Sequence, residues 1–215
     1  MKKAVYFCCI VFPILLASCG PLMNFNSDEK AYFVITDDGT LPKDSLTNSG
    51  LRVLVRDTKA NGFVNSRKII FSENPATQAY YQFAQWVEPP TDRVTLLIVQ
   101  RLERAGLFTS VSRLAGSALG DIQLSAELTD FYHDLSAGGK GVVRLRLNCE
   151  LINLRDHTVL QSREFAKIIP VEDYSARGAV QAFSVAVNEV LNELVQWMNK
   201  AANDAAPSMK TATPF

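Results

Sequence analysis

Two alternating stretches, IQLSAELT at residues 122–129 and VRLRLNCEL at residues 143–151, decide the fold class of this chain. In each stretch apolar and polar side chains alternate, which is the period of a β-strand with one buried face. The glycine-rich segment between them, residues 135–141, is typical of a hairpin connection. We therefore predict an antiparallel pair of strands that turns one apolar face towards the core.

Further strands and two helices are predicted on both sides of this hairpin. The additional strands fall at residues 31–36, 51–57, 67–72, 79–86 and 159–169. Apolar side chains at helical spacing indicate one helix after Pro89-Pro90, capped by Thr91 and closed by Gly106, and another from about Ser175 to Lys200. Arg101 is assigned to the polar, outer side of the first helix. The result is an α+β fold, a mostly antiparallel β-sheet with two main helices packed on one face.

The start of the chain has the pattern of an export signal. Lys2 and Lys3 precede an apolar run at residues 4–16, which is too short for a comfortable transmembrane helix. Small residues and Cys19 follow. The sequence Leu-Ala-Ser-Cys resembles the lipobox of bacterial lipoproteins, which implies cleavage between Ser18 and Cys19 and acylation of Cys19, for example with palmitate. An ordinary cleaved signal followed by a chance cysteine is the alternative.

The chain divides into a tether, a folded body and a tail. Residues 1–18 are the predicted signal peptide, residues 19–30 the lipid anchor and spacer, residues 31–200 a single α+β domain, and residues 201–215 a flexible tail. Loss of the signal removes two of the 22 basic residues and leaves 20 against 22 acidic ones. This balance argues against a nucleic-acid partner and against strong electrostatic attachment to anionic lipid.

The sequence offers little for catalysis. His133 and His157 lie in no metal-binding spacing, so no metal or other cofactor is predicted. Asp37-Asp38-Gly39 is interpreted as a solvated turn, and Cys149 lies in an apolar register that favours burial. No catalytic residue is assigned, and an enzyme is not expected.

One aromatic cluster precedes the first helix. Tyr80, Tyr81, Phe83 and Trp86 lie within seven residues and are followed by Pro89. We expect Tyr81 and Phe83 to pack in the core, whereas Trp86 could belong either to the core or to an interface. The functional alternative is a partly exposed aromatic edge that docks another chain or an acyl chain.

Several motifs together resemble the ABC-type transport auxiliary lipoproteins, the PqiC-like family. Tyr81 with Trp86-Val87-Glu88-Pro89-Pro90, and then residues 102–108 (LERAGLF), match the family pattern Y-x₄-W-x-x-P … L-x-x-[SA]-G-L-F. Residues 124–131 (LSAELTDF) resemble a strand of that family, and Phe165 with Pro170 and residues 194–197 (LVQW) resemble its closing segment. The resemblance covers roughly residues 31–198.

The resemblance implies a non-enzymatic lipoprotein of the outer membrane that faces the periplasm of a Gram-negative bacterium. Its partners would be an MCE-domain protein anchored in the inner membrane and ABC transporter components, which move lipids or other hydrophobic molecules between the membranes. The body would cap an MCE-protein tube, as a homo-oligomer. Tyr81, Trp86 and Pro89 are the candidate partner-docking residues, whereas Gly106 and Phe108 are assigned to the fold.

Two other functions remain open from the sequence. A periplasmic lipid-binding shuttle or chaperone would need an apolar cavity. A structural or assembly lipoprotein of the outer membrane would need a barrel or cell-wall partner.

Overall fold

The computed structural model describes residues 29–115 and 118–211, which form a sheet of nine strands and two helices. The elements are β1 (Ala31–Phe33), β2 (Arg52–Val55), β3 (Lys59–Ala60), β4 (Lys68–Ser72), β5 (Ala79–Trp86), α1 (Pro90–Ala105), β6 (Ser110–Arg113), β7 (Ile122–Asp134), β8 (Val142–Asn153), β9 (Val159–Pro170) and α2 (Ala176–Thr211). The α+β fold class is confirmed. Residues 1–28, and with them Ser18 and Cys19, lie outside the described residues.

Strand β7 is the centre of the sheet. It pairs antiparallel with β8 along its length, and β8 pairs antiparallel with β9, as the alternation predicts. The other side of β7 is shared by β2, β3 and β4, which all run parallel to it. Beyond these, β6 pairs parallel with β2, β5 pairs antiparallel with β4, and β1 pairs parallel with β5. The sheet is therefore mixed, with its longest ladders antiparallel.

The two helices cover one face of this sheet. Leu124 and Leu128 point to the helices, and a register shift between Leu128 and Asp130 lets Phe131 continue the same buried face. From the helix side, Phe183 stacks on Phe131 with ring centroids 4.2 Å apart. Burial of large side chains such as these contributes about 1.5–3 kcal/mol each, so this layer is the main source of stability.

The C-terminal end of α1 matches the prediction, and the N-terminal end does not. Gly106 adopts a left-handed conformation (φ 65°) and closes the helix, as predicted. The cap assigned to Thr91 is wrong, because Pro89 occupies the N-cap position and Pro90 begins the helix. The Thr91 hydroxyl instead donates a hydrogen bond to Oδ1 of Asn65 at 2.7 Å.

Helix α2 continues to Thr211, so the predicted end at Lys200 is wrong and residues 201–211 do not form a tail. Ala201, Ala202 and Ala206 are buried and extend the apolar stripe of the helix. Alanine is the strongest helix former, and its small side chain lets the helix pack closely. The remaining part of the predicted tail, residues 212–215, lies outside the described residues.

Residues 36–47, called the strap below, lie along α2 and are held by side chains of that helix. Near the start of the strap, Asn188 accepts a hydrogen bond from Asp38 N–H at 3.0 Å and donates one to the carbonyl of Thr36 at 3.0 Å. Near its end, Asn199 accepts from Thr47 N–H at 3.0 Å and Asn203 donates to the Thr47 carbonyl at 3.2 Å. The strap connects the first strand to the rest of the body.

Arg101 fastens the strap from the side of α1. Its side chain is fully buried, so the outer position predicted for it is wrong. The guanidinium pairs with Asp37 and hydrogen-bonds to Asn188 and Asn192 of α2 at 2.9 and 2.6 Å. Burial by itself raises the pKa of Asp37, but hydrogen bonds from Arg101 and Gly39 N–H outweigh it and lower that pKa overall. Asp37 is therefore a buried ion-pair partner and not part of a solvated turn.

Candidate docking surface

Trp86 lies in the core. Its side chain is 2% exposed, and its ring is 6.0 Å from that of Phe131 and 5.6 Å from that of Phe183. The alternation of β5 ends on this residue, which points to the helices rather than to solvent. Trp86 thus supports the candidate surface from below and cannot itself contact a partner in this conformation.

Tyr81 is half-buried and engaged within the fold. Its hydroxyl lies 2.8 Å from Nδ1 of His133, whose Nε2 lies 2.7 Å from the carbonyl of Lys140. A carbonyl only accepts, so Nε2 carries the proton and Tyr81 donates to Nδ1. Burial lowers the pKa of His133, and burial raises the pKa of Tyr81 to about 12. Both groups are neutral near pH 7, and their bonds tie β5 to the β7–β8 hairpin.

A bulge in β5 turns Phe83 away from the core. Ile70 of β4 pairs with Tyr80, whereas Lys68, two residues earlier, pairs with Gln85. The extra residues on β5 shift its side-chain alternation. Phe83 is 46% exposed, so the prediction that it packs in the core is wrong.

Five large apolar side chains are exposed on β1, on β5 and in the residues that directly follow these strands. We call this set the aromatic edge: it consists of Tyr32, Val34, Tyr80, Phe83 and Val87, each between 39% and 57% exposed. The parallel pairing of β1 with β5, continued by the hydrogen bond from Val87 N–H to the Phe33 carbonyl at 2.9 Å, holds its two halves together. Single exposed apolar residues are common, whereas five of them on and beside two paired strands form a candidate interaction surface.

Two cations border the aromatic edge. The guanidinium of Arg67 lies 5.6 Å from the ring centre of Tyr32, and Nζ of Lys68 lies 4.1 Å from that of Tyr80. Both side chains are exposed, and among the described residues neither has a carboxylate within 4 Å. The surface therefore combines aromatic rings with cations that no acidic side chain neutralises.

Pro89 lies beside this surface and is partly exposed. As the N-cap of α1 it sets the direction in which the helix leaves β5. Its neighbour Glu88 forms a loose ion pair with Arg93 at 3.8 Å. Among the three predicted docking residues, Pro89 and Tyr81 are thus partly accessible and Trp86 is not.

The opposite end of β7 carries a second, polar surface, which we call the far end. A cavity of about 620 Å³ lies there, lined by residues that include Arg52, Asp121 and Arg155. Arg52 and Asp121 form a two-pronged ion pair, and hydrogen bonds from Arg52 lower the pKa of Asp121. Just before β7, Leu119 is 76% exposed, more than the other large apolar side chains of the described residues.

Among the described residues, the apolar space between the helices and the sheet is small. The apolar space lined by Val94, Leu147 and Leu191 measures only about 10 Å³, which is less than a ligand pocket by more than an order of magnitude. Cys149 is buried there, and burial raises the pKa of its thiol to about 12. Within the described ranges no three His, Cys, Asp or Glu side chains are placed to hold a metal ion. In the same part of the chain, neither helix is long and apolar enough to cross a membrane.

The long outer strand β9 carries charged side chains on its inner face. Lys167 reaches Glu193 at 2.5 Å and Glu189 at 3.2 Å, both on α2. Arg163 lies 3.8 Å from Glu193 and 4.9 Å from the ring centre of Phe165. Charges that point inward in this way are a known protection of edge strands against pairing.

A comparison with protein-family models identifies the family of this chain. The family model described as ABC-type transport auxiliary lipoprotein component matches residues 37–195, well over half of the chain. The chain belongs to this family. No match is found among curated proteins. The family is a transport component and not an enzyme class.

Two solved structures show the same fold as this auxiliary lipoprotein. Protein XCC0632 from Xanthomonas campestris has a TM-score of 0.76 at 22% identity, over 82% of this chain and 99% of that one. An uncharacterized protein has a TM-score of 0.61 at 13% identity, over 79% of this chain and 99% of its own length.

Of the docking residues predicted on β5, Trp86 is buried and Tyr81 is half-buried. The sequence did not indicate Tyr32, Val34 or Val87, because their exposure depends on the pairing of β1 with β5, and residues distant in sequence make that pairing. The only signal in the sequence for the aromatic edge is the density of aromatic residues at 80–86.

Proposed function

We propose that this chain is an outer-membrane lipoprotein, anchored through Cys19 and facing the periplasm, that serves an MCE/ABC-type system moving lipids or other hydrophobic molecules between the two membranes. Membership of the transport auxiliary family supports the transport role. The lipobox-like residues Leu16-Ala17-Ser18-Cys19 support the anchor. The MCE-domain partner, the lipid cargo and the outer-membrane location are the parts that the experiments below address.

One observation carries the proposal: the described chain enters the sheet beside the second half of β7, whereas the far end lies at the start of β7. The described chain enters at β1, which pairs with residues 84–86 of β5; Gln85 pairs with Lys68 of β4, and Phe71, three residues later in β4, pairs with His133 of β7. Leu119 and Asp121 come just before the first residue of β7, and Asp121 lines the cavity of the far end. The strand register puts Tyr32 level with about Asp130 of β7, so that at about 3.3 Å per residue the start of β1 and the start of β7 are roughly 26 Å apart along the strands.

This arrangement suits a domain that bridges a membrane and a partner. With the lipid on Cys19 in the outer membrane, the far end points into the periplasm, towards a protein anchored in the inner membrane. Leu119 is the apolar anchor that we assign to that contact, and the surrounding polar groups would form its rim. Several copies of the domain around one MCE tube would form the homo-oligomer that the resemblance implies.

The test is a detergent pull-down of the C-terminally tagged chain from its own membranes, with mass spectrometry of proteins and lipids. We expect an MCE-domain protein in the eluate. Leu119→Lys should reduce its capture by about tenfold or more, whereas Val185→Lys, an exposed apolar position on α2, should leave capture unchanged. An eluate with no MCE protein overturns the proposal.

The small apolar interior space argues against the shuttle alternative. A carrier that encloses lipid needs a cavity of several hundred Å³, whereas the apolar space between the helices and the sheet is about 10 Å³. Stoichiometric lipid in an eluate without an MCE protein would restore this alternative. Barrel or cell-wall components would point instead to an assembly lipoprotein.

A further inference from the structure

We infer that the aromatic edge is a membrane-contact surface that rests on the headgroup region of the bilayer. The inference rests on the proposed lipid anchor at Cys19. Its occupant is the phospholipid surface itself, with apolar contacts from the rings and phosphate contacts from Arg67 and Lys68. It goes beyond the anchor because it fixes the orientation of the folded body, which a lipid on a tether leaves free.

The length of the spacer limits how far the aromatic edge can lie from the lipid anchor. Eleven peptide units separate Cys19 from Lys30, which covalent geometry limits to about 40 Å when fully extended. The first strand begins at Ala31, and Tyr32 and Val34 belong to the aromatic edge. This edge is therefore the part of the folded body that the anchor holds nearest to the bilayer, at a high effective concentration.

The exposed apolar side chains of the described residues are concentrated at the aromatic edge. Five of the twelve large exposed apolar side chains of the described residues belong to the aromatic edge, although β1 and β5 are two of eleven elements. The other seven are spread over α1, α2, β9 and loops. An apolar surface next to a lipid anchor can be stabilised by the bilayer, because part of its apolar area leaves water when it contacts the membrane.

The residue types at the aromatic edge suit the surface of a membrane. Tyrosine has an apolar ring and a polar hydroxyl, which suits the boundary between headgroups and acyl chains. Tyr32 and Tyr80 both stay exposed, and each has a cation over its ring, Arg67 and Lys68 respectively. Nε of Arg67 donates a hydrogen bond to the carbonyl of Trp86 at 3.0 Å. Among the described residues neither cation has a carboxylate within 4 Å, so Nζ of Lys68 and the terminal nitrogens of Arg67 are the groups that would contact lipid phosphates. The sequence as a whole is nearly neutral, so the attraction is local and modest.

The experiment measures how close this surface comes to lipid. The full lipidated chain is reconstituted in vesicles of phosphatidylethanolamine and phosphatidylglycerol, some of which carry a headgroup-proximal spin-labelled quencher. A fluorophore is attached at Phe83→Cys, at Leu119→Cys or at Val185→Cys; Cys149 is buried with a raised thiol pKa and does not compete. We expect quenching at position 83 to exceed that at positions 119 and 185 by about threefold or more, as for side chains in an aromatic belt.

A second variant separates surface contact from the mere nearness of the tether. With the fluorophore at Val87→Cys, the double change Tyr80→Ser and Phe83→Ser should lower the quenching, and Val185→Ser should not. Equal quenching at positions 83, 119 and 185 on vesicles that the protein does bind overturns the inference and leaves the proposed function standing. Failure of the lipidated chain to float with vesicles removes the anchor and overturns both.

A protein occupant gives its own result. In that case the label at position 83 would be unquenched on protein-free vesicles but shielded from a water-soluble quencher in native membranes. This outcome overturns the bilayer contact and assigns the aromatic edge to a partner chain.

Discussion

Strands β9 and β1 lie at opposite edges of one sheet and meet their surroundings in opposite ways. The twelve-residue β9 is the longer edge, and its inner face carries Lys167 and Arg163 against the carboxylates of α2. The three-residue β1 has no such charges and, with β5, presents exposed rings to the outside. A long edge with open backbone groups needs protection, whereas a short edge can be apolar without templating another strand. The difference indicates that β9 is built to stay single and β1 to make contact.

The largest expected effect is a difference in the free energy of unfolding between substitutions on the two faces of β5. Trp86→Ala should lower the free energy of unfolding by about 3–5 kcal/mol, because it opens a cavity against Phe131 and Phe183. Phe83→Ala should change it by less than about 0.5 kcal/mol, since that ring is on the surface. Urea titration of the mature protein in mild detergent measures both. Similar losses for the two variants would mean that Phe83 is a core residue and not part of a contact surface.

A smaller effect should follow from removing the protection of β9. Lys167→Ile places an apolar side chain where the charge faces Glu189 and Glu193, which should promote association through the long edge. We expect a concentration-dependent increase in mass by light scattering, with thermal stability changed by less than about 1 kcal/mol. Lys167→Arg keeps the inward charge and is the control. A monodisperse Lys167→Ile protein would show that the inner charges do not protect this edge.

The smallest effect concerns pH at the end of the sheet where the aromatic edge lies. Burial lowers the pKa of His133 below the unfolded value of 6.5, so the unfolded chain binds the extra proton more readily. Stability should therefore fall as pH drops below about 6.5, with a slope of no more than about 1.4 kcal/mol per pH unit from this group. His133→Gln should remove that part of the slope and leave the contribution of the carboxylates, such as Asp37 and Asp121, at lower pH. Parallel curves for the two proteins would contradict the neutral, buried histidine.

Local patterns in the sequence were enough to predict the fold class, because alternation at 122–129 and 143–151 and the helical stripes report directly on one buried face. They could not show the parallel pairings of β2, β3 and β4 with β7, which depend on contacts between distant segments. Arg101 was placed outside since a single charged residue is usually solvated, and only Asp37, far away in sequence, explains its burial.

The candidate site was predicted less well for a related reason. The β-bulge in β5 reverses which aromatic side chains face the helices, and its position is visible only in the register with β4. The sequence indicated the aromatic strand correctly, but Phe83 was assigned to the core and is exposed. The polar far end gave no signal, since Leu119 lies in a loop without periodicity.

The strap has a mechanical consequence under the proposed lipid anchor at Cys19. A pull on the tether first loads β1, whose three residues can be peeled away from β5. The load then reaches bonds that the strap makes between Ser184 and Asn203, which are spread over about 28 Å along α2. Because the strap runs along the helix, a pull along the helix axis loads these bonds in shear, so that they share the force instead of opening one after another. The strap thus lets the body resist a pull on its first residues without unravelling from them.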